Sequence, residues 1–515
     1  SAPTDRFGTF TFASLADLEA GRPVQYTRWL GSGAGRISSA SWAGYAGDLW
    51  MPARDLSITY GIRAERTSYD GRDAPADSGF GLSPVPPASG WSASPRAGFR
   101  WSRGSPAMDW VVRGGAGRFR AGAGTRSLAA LLAEPGMSGD VRLVCVGAAV
   151  PVPRWESYRA DAGTIRSECA TNSPDLSSDR PGATGFARGY DVPAVWHSSL
   201  EVNWLHRPSQ ISADASVSMS RGRGHPLAFD RNLVADLAFR LDAEGGRPVF
   251  VAPGAVDPFS GRIVLPGSRR RGALGVVREV DASGRSAADQ LALTLARLTS
   301  MGLVQAYYTY TRSRDDASAL QGPAGPQPST GGDPRRATWA PADFEQRHVF
   351  QLSLDRTLAP WSTLTLIGRV LSGQPFTPTV DADVNGDGFA NDRAFVFDAA
   401  DRDLGGAMAA LMDGAPEGVR ACLRRQAGRV AERNSCRTPW NPQLDVQWNI
   451  RPGGIRGRTA FTVVAQNTTA ALDRLLHGTD DLRGWGQDPY PDPVLLRVTG
   501  FDPDERRFRY RVNPS

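Results

Sequence analysis

One stretch of the chain carries the residue types that bind a hard cation. From Asp381 to Asp392 the sequence reads DADVNGDGFAND, with carboxylates and amides on alternate residues and glycines between them. Calcium takes six to eight oxygen ligands, and alternating Asp and Asn side chains wrapped by a glycine turn supply several of them. Two overlapping registers fit. In one, Asp381, Asp383 and Asn385 lead, Gly386 sits at the sharp turn and Asp392 closes the loop. In the other, Asp383, Asn385 and Asp387 lead, Gly388 turns and Asn391 follows, but Ala394 takes the closing place. The expected ligands of a structural Ca2+ are therefore Asp381, Asp383, Asn385, Asp387, Asn391 and Asp392. The flanks read as strand and loop, so this is not an EF-hand. The plainer alternatives are an Asn/Asp/Gly turn without metal and a local surface pair at Asp392–Arg393.

The four cysteines form two close pairs, Cys145 with Cys169 and Cys422 with Cys436, both in segments that read as loops. The spacing points to local disulfides and an oxidising compartment; four separate thiols are the alternative. No CxxC metal spacing occurs. The five histidines, His197, His206, His225, His348 and His477, show no ligand spacing and sit mostly at strand ends. There is no HExxH, GxSxG or phosphate loop, so no catalytic set and no organic cofactor are expected.

The elements that must position the acidic loop are strands. Before it, HVFQLSLDR places Phe350, Leu352 and Leu354 on one face and Gln351, Ser353 and Asp355 on the other, a two-residue period. A turn at 358–361 containing Pro360 follows, and Leu364, Leu366 and Val370 resume the apolar face. Five more hairpins read the same way: 37–50 with 56–66, 91–101 with 108–121, 195–205 with 211–221, 288–297 with 303–314, and 442–451 with 459–467. The arm 211–221 is the cleanest, with Ile211, Ala213, Ala215, Val217 and Met219 opposing Ser212, Asp214, Ser216, Ser218 and Ser220. Further strand-like runs lie at 7–13, 274–280, 494–501 and 506–512, and helices are expected at 405–412 and 417–433.

Short turns alternate with long connections, which sorts all the short turns to one end of a sheet. That pattern predicts an all-β antiparallel transmembrane β-barrel with long external loops, one of them containing short helices. A closed barrel pairs every backbone group within lipid. Trp50, Trp101, Trp110 and Trp361 sit beside short turns, and Tyr307, Tyr308 and Tyr310 approach a long loop, as two interfacial girdles would place them. Polar residues such as Glu201, Asn203, Asp214, Asp445 and Arg451 would then line a lumen.

Bulk composition agrees. The chain has 515 residues, is 41% hydrophobic, and contains 57 Gly and 38 Pro, a turn-rich profile. No apolar run reaches the roughly 18 residues a spanning helix needs. All 59 basic residues are arginine and the net charge is +6; apart from Arg269–Arg271 they are scattered, so no nucleic-acid partner is expected. The chain opens SAPTDRF, without an initiator Met or signal peptide, and reads as a mature or internal piece.

Several segments resemble the Oar-like TonB-dependent outer-membrane receptors of the carboxypeptidase-regulatory-like-domain type: FTFASLADLEAGRP (10–23), SPRAGFRW (94–101), HVFQLS (348–353), SGQPFTP (372–378), DVNGDGFANDRAFVF (383–397) and VRACLRRQAGRVAERNSCRTPWNPQLDV (419–446). The last two are the most specific. The resemblance implies a bacterial outer-membrane barrel of about 22 strands, an N-terminal plug, coupling to TonB and an extracellular ligand. The cation-loop residues match the family's motif one by one, whereas no substrate-binding residue carries over. The chain departs from that pattern: no plug precedes the barrel strands, about 12 spanning strands are legible, and the end, FRYRVNPS, lacks a terminal aromatic strand. Residues 1–515 are thus expected to be a barrel portion without its plug, with 373–440 an external loop holding the calcium motif and a helical, disulfide-closed segment. A passive pore or adhesion barrel, and a secreted calcium-binding β-protein, are the competing expectations.

Overall fold

The computed structural model describes residues 7–12, 14–30, 37–70, 79–83, 85–120, 141–171, 183–263, 265–272, 274–316, 329–451, 459–479, 482–487 and 492–513. Twelve strands follow one another as an antiparallel meander. They are β1 (Ser38–Ala53), β2 (Leu56–Asp70), β3 (Ser92–Gly104), β4 (Met108–Arg120), β5 (Ala194–His206), β6 (Ile211–Asp230), β7 (Val277–Thr299), β8 (Gly302–Asp315), β9 (His348–Ala359), β10 (Ser362–Leu371), β11 (Asn441–Ile450) and β12 (Phe461–Ala465). Each pairs with its sequence neighbours, so the expected hairpins form in the expected order. Among the described residues β1 and β12 do not pair with each other, and the sheet is an open run of strands. The turn of the last hairpin, between 452 and 458, lies outside the described residues.

The register builds two chemically distinct faces. Val202, Ala215, Leu293, Tyr308, Phe350 and Val370 align across six strands. The adjacent row, on the other face, is Asn203, Asp214, Thr294, Tyr307, Gln351, Arg369 and Gln443. It is the apolar row that faces outward: Val217 is 47% exposed, Leu293 40% and Phe350 45%. Water would not tolerate a continuous apolar patch of this extent on a folded monomer. Hydrocarbon does, provided the backbone groups behind it are paired.

The belt ends sharply. Outside Met219 the next outward-facing pair is Arg221 with Asp289, joined at 2.7 Å. Tyr308, Tyr310, His348, Phe350 and Trp440 cluster near this rim, with Tyr308 and Phe350 ring centroids 4.6 Å apart. Tyr307 is on the polar face opposite Gln351, so only two of the three tyrosines belong to that girdle. At the other rim Trp110 and Trp204 lie 6.2 Å apart, Trp101 donates to Asp55 of the β1–β2 turn and Trp448 donates to Ser362. Amphipathic indoles suit such a boundary, and those of Trp101 and Trp448 have a satisfied N–H. The turn between β7 and β8 requires its glycine: Gly302 has φ 141°, and a Cβ there would collide with the Asp355 carbonyl.

Strands β6 and β7 run on past the belt. A spanning strand needs about 10 residues, whereas β6 has 20 and β7 has 23. Beyond β-bulges at Arg223–Leu227 their tips are covered by protein: Leu227, Val277 and Val280 are buried. The strand-like run expected at 274–280 is the start of β7. The long connections on this side form a folded cap. Its core draws Phe239, Val249 and Val251 from the β6–β7 connection, Val384, Phe395, Phe397 and Met408 from the β10–β11 connection, and Leu496, Phe501 and Phe508 from the segment after β12. The two last strand candidates, Val494–Asp502 and Arg507–Val512, pair with each other, and the first also pairs with Thr379–Val380. They belong to the cap rather than to the barrel sheet. A second small cluster, around Tyr26, Cys145 and Ile165, packs the sheet formed by Thr9–Thr11, Gln25–Leu30 and Val141–Val146.

Candidate functional site

The acidic loop leaves β10 through Pro375–Phe376 and Thr379–Val380 and is folded into the cap core. Gly386 and Gly388 adopt φ of 80° and 96°, the region that L side chains avoid. This tight winding lets Asp383 accept backbone N–H from Gly386 at 2.7 Å and from Gly388 at 2.8 Å. Asn385 accepts from the Asp387 N–H and donates to the Asp387 carboxylate at 3.2 Å; Asp387 accepts from the Phe389 N–H. Asp392 reaches back to accept from Val384 and Asn385. Asp383, Asn385, Asp387 and Asp392 are thus brought together. Asp381 is not: its carboxylate accepts from the Val498 N–H in the terminal hairpin. Asn391 offers its backbone carbonyl to Thr330.

Asn385, Asp387 and Asp392 are 0%, 2% and 1% exposed. Burial pushes Asp383 up to about 6, against the pull of the Gly388 and Gly386 N–H groups. Burial, reinforced by the Asp383 charge, pushes Asp387 up to about 7. Burial also raises Asp392 well above the ordinary carboxylate range, with Arg247 opposing. Three buried carboxylates that disfavour each other's charge are a concentration of negative potential. Their oxygens are hard donors of the calcium kind, and each retains a lone pair beside its backbone bond. Among the described residues, however, no three His, Cys, Asp or Glu side chains are already gathered as metal ligands.

Two arginines, which the sequence pattern did not single out for this role, tie the loop to its surroundings, and a third ties the later part of the same connection to β8. Arg247, fully buried, donates to Glu244 at 2.7 Å, to Asp392 at 3.4 Å and to the Arg393 carbonyl. Arg269 pairs with Asp230 at the tip of β6 and donates to the Asp387 carbonyl at 2.9 Å. Arg433 joins Asp315 at the end of β8 to Asp343, at 2.7 and 3.3 Å. The only advance signal was the Arg269–Arg271 cluster. The disulfides add covalent ties: Cys145–Cys169 with Cα atoms 5.6 Å apart and Cys422–Cys436 at 5.4 Å. The second joins the helix α2 (Glu417–Arg425) to the strand at Cys436–Arg437. α2 stops well short of Arg433 because Gly428, at φ 73°, turns the chain toward the disulfide. The helix α1 (Gly405–Gly414) precedes it as expected.

The sequence matches the family model described as outer membrane beta barrel domain over residues 1–449. The chain belongs to the outer-membrane β-barrel family. Similar solved structures include the FrpB iron transporter of Neisseria meningitidis, at 10% identity, covering 87% of this chain and 54% of that one, TM-score 0.35. The outer membrane transporter YddB of Escherichia coli gives 8%, 85%, 51% and 0.39. The siderophore receptor PiuA of Acinetobacter baumannii gives 9%, 87%, 40% and 0.39. The chain therefore spans about half of these proteins or less. No curated protein matches the sequence.

In this outer-membrane barrel the polar face is the lumen wall. At mid-height Arg113 pairs with Glu201 at 3.2 Å, and Asn203 donates to both Glu201 and Asp214. Arg369 joins Gln351 to Asp445. The histidines are dispersed: His197, His206 and His225 bond serines, His348 bonds Tyr308, and His477 bonds Asp473. They form no site together.

Proposed function

We propose that this chain is the barrel and cap of an outer-membrane receptor that transports a ligand with energy delivered through TonB in the full-length protein. The observation that carries the reading is the folded cap built from the long connections of a sheet with one polar face. A passive pore works with an open mouth, whereas here several long connections share one hydrophobic core on the long-loop side. Arg113 with Glu201, Asn203 with Asp214 and Arg369 with Asp445 line the polar face and offer hydrogen bonds to a moving polar surface. The role is recognition and passage rather than catalysis. Outer-membrane lipid, a plug and TonB are the partners this reading requires; the ligand is left unassigned. The test is retention of the detergent-purified full-length protein on an immobilised periplasmic TonB domain. Retention supports the reading. Absence of retention, together with steady ion conductance in planar bilayers, replaces it with a passive pore.

We also propose that the acidic loop takes up one Ca2+, with Asp383, Asn385, Asp387 and Asp392 as its side-chain ligands. The support is the oxygen-only donor set and the buried like charges, which a divalent cation would neutralise. Calorimetry on the whole protein should show calcium heat that disappears in Asp383→Ala and Asp387→Ala. No heat in the unaltered protein rejects the site.

A further inference from the structure

The helix α1 is apolar on two faces. Met408 and Met412 are buried in the cap core, and Leu404 just before the helix joins them. The opposite face, Ala407, Ala410 and Gly414, is exposed and lines a cavity of about 650 Å³. A helix apolar all round is ordinarily covered all round. Here the second face is left open by small side chains, and Val419 of α2 with Val494 and Val512 of the terminal hairpin complete the walls. The polar groups at the rim are already engaged with each other: Asn513 donates to Asp492 at 2.8 Å and to the Val494 carbonyl, and Arg497 approaches Asp492 at 3.6 Å. Ordered water needs two to four polar partners, which such walls do not provide.

We propose that this cavity is a binding site for a small, uncharged, predominantly apolar molecule. Its volume lies within the roughly 300–1,000 Å³ of small-molecule pockets, and apolar walls with few polar groups are what such pockets have. The space is too small for a partner domain, and among the described residues the Asp492 carboxylate at its rim is balanced by Arg497. The site is assembled from three chain segments that only the folded cap brings together: the acidic-loop flank, the helical segment and the terminal hairpin. It takes no part in the lumen wall, so it adds a recognition site to the transport reading without depending on TonB coupling.

The test uses the full chain in phospholipid nanodiscs and the uncharged photoprobe 3-trifluoromethyl-3-phenyldiazirine, with adducts mapped by mass spectrometry. Adducts are expected on peptides covering 405–423 and 492–513, besides those on the lipid-facing strands. A Cβ at Gly414 meets nothing within 4 Å, so Gly414→Leu should fill the cavity without a clash. Cap labelling in that variant should fall about tenfold while strand labelling stays, because the added side chain occupies the space. Ala410→Trp is the second filler, and trypsin resistance of the cap verifies folding of both. Adducts confined to the strands, or cap labelling unchanged in both folded fillers, overturns the proposal. Strand labelling reports the barrel separately, so that outcome leaves the membrane assignment standing.

Discussion

Arg269 shows how much a single side chain can organise. It is buried, pairs with Asp230 on a barrel strand and holds the Asp387 carbonyl of the acidic loop. Removing one partner of a buried pair leaves the other charge without compensation, at a cost of about 3–5 kcal/mol. Arg269→Met should therefore loosen the cap, read as new trypsin cleavage between 373 and 440, while the barrel keeps its resistance to SDS. Conversely, the same substitution accompanied by Asp230→Leu should recover much of the loss. The acidic loop makes a pH prediction. Asp383 and Asp387 have folded-state values raised from 3.8 to about 6 and about 7, so the folded cap binds protons more tightly than the unfolded chain. Their contribution to stability is full below the ordinary carboxylate range and falls as pH rises through 6 and 7. Calcium should abolish that decline by favouring the charged forms. Melting curves of the cap in EDTA between pH 4.5 and 8, repeated with calcium, measure both effects; a calcium-independent profile removes the metal from the loop.

At the scale of the element, the hairpins were legible because one period governs both the side chains and the environment. A two-residue alternation places Val217 and Met219 opposite Ser216 and Ser218 whether or not the rest of the sheet is known. What alternation leaves unstated is where the lipid ends. Strands β6 and β7 continue past the membrane through β-bulges, and the pairing of Arg221 with Asp289 is among the marks of the boundary. The cap was less legible, because much of its core comes from strands of two or three residues, too brief to show any period. The hairpin at the end of the chain was recognised as strands, but its partner, Thr379–Val380, is far away in sequence. Asp383, Asn385, Asp387 and Asp392 bond within one tight loop, while Asp381 is drawn to the terminal hairpin by a contact no local pattern encodes. The two faces differ in what they tolerate. Leu293→Arg places a cation on the lipid side, at a cost of about 2–4 kcal/mol near midplane, and should reduce the heat-modifiable folded fraction on semi-native gels. Thr294→Arg, one residue along but in the lumen, should fold normally. Loss in Thr294→Arg with normal folding of Leu293→Arg would mean that the face assignment is inverted.

The whole molecule has its hydrophobic core outside the membrane, which separates two kinds of stability. The barrel is held by strand pairing behind an apolar belt. The cap is held like a soluble domain, by burial of Phe395, Phe397, Phe501 and Phe508 among others, and by cross-links between connections. Among the described residues its ties to the barrel strands include Arg269 to β6, Arg433 to β8 and Arg278 of β7 over Phe389, all near strand tips. Two units joined only at strand tips should melt in two steps. The Cys422–Cys436 bridge closes a loop of sequence separation 14 wholly within the cap, and releasing it should cost about 3 kcal/mol in the chain-entropy model. Calorimetry of Cys422→Ser/Cys436→Ser should then show the lower transition shifted down and the upper one unmoved. A single transition that shifts as a whole would mean that cap and barrel fold as one unit.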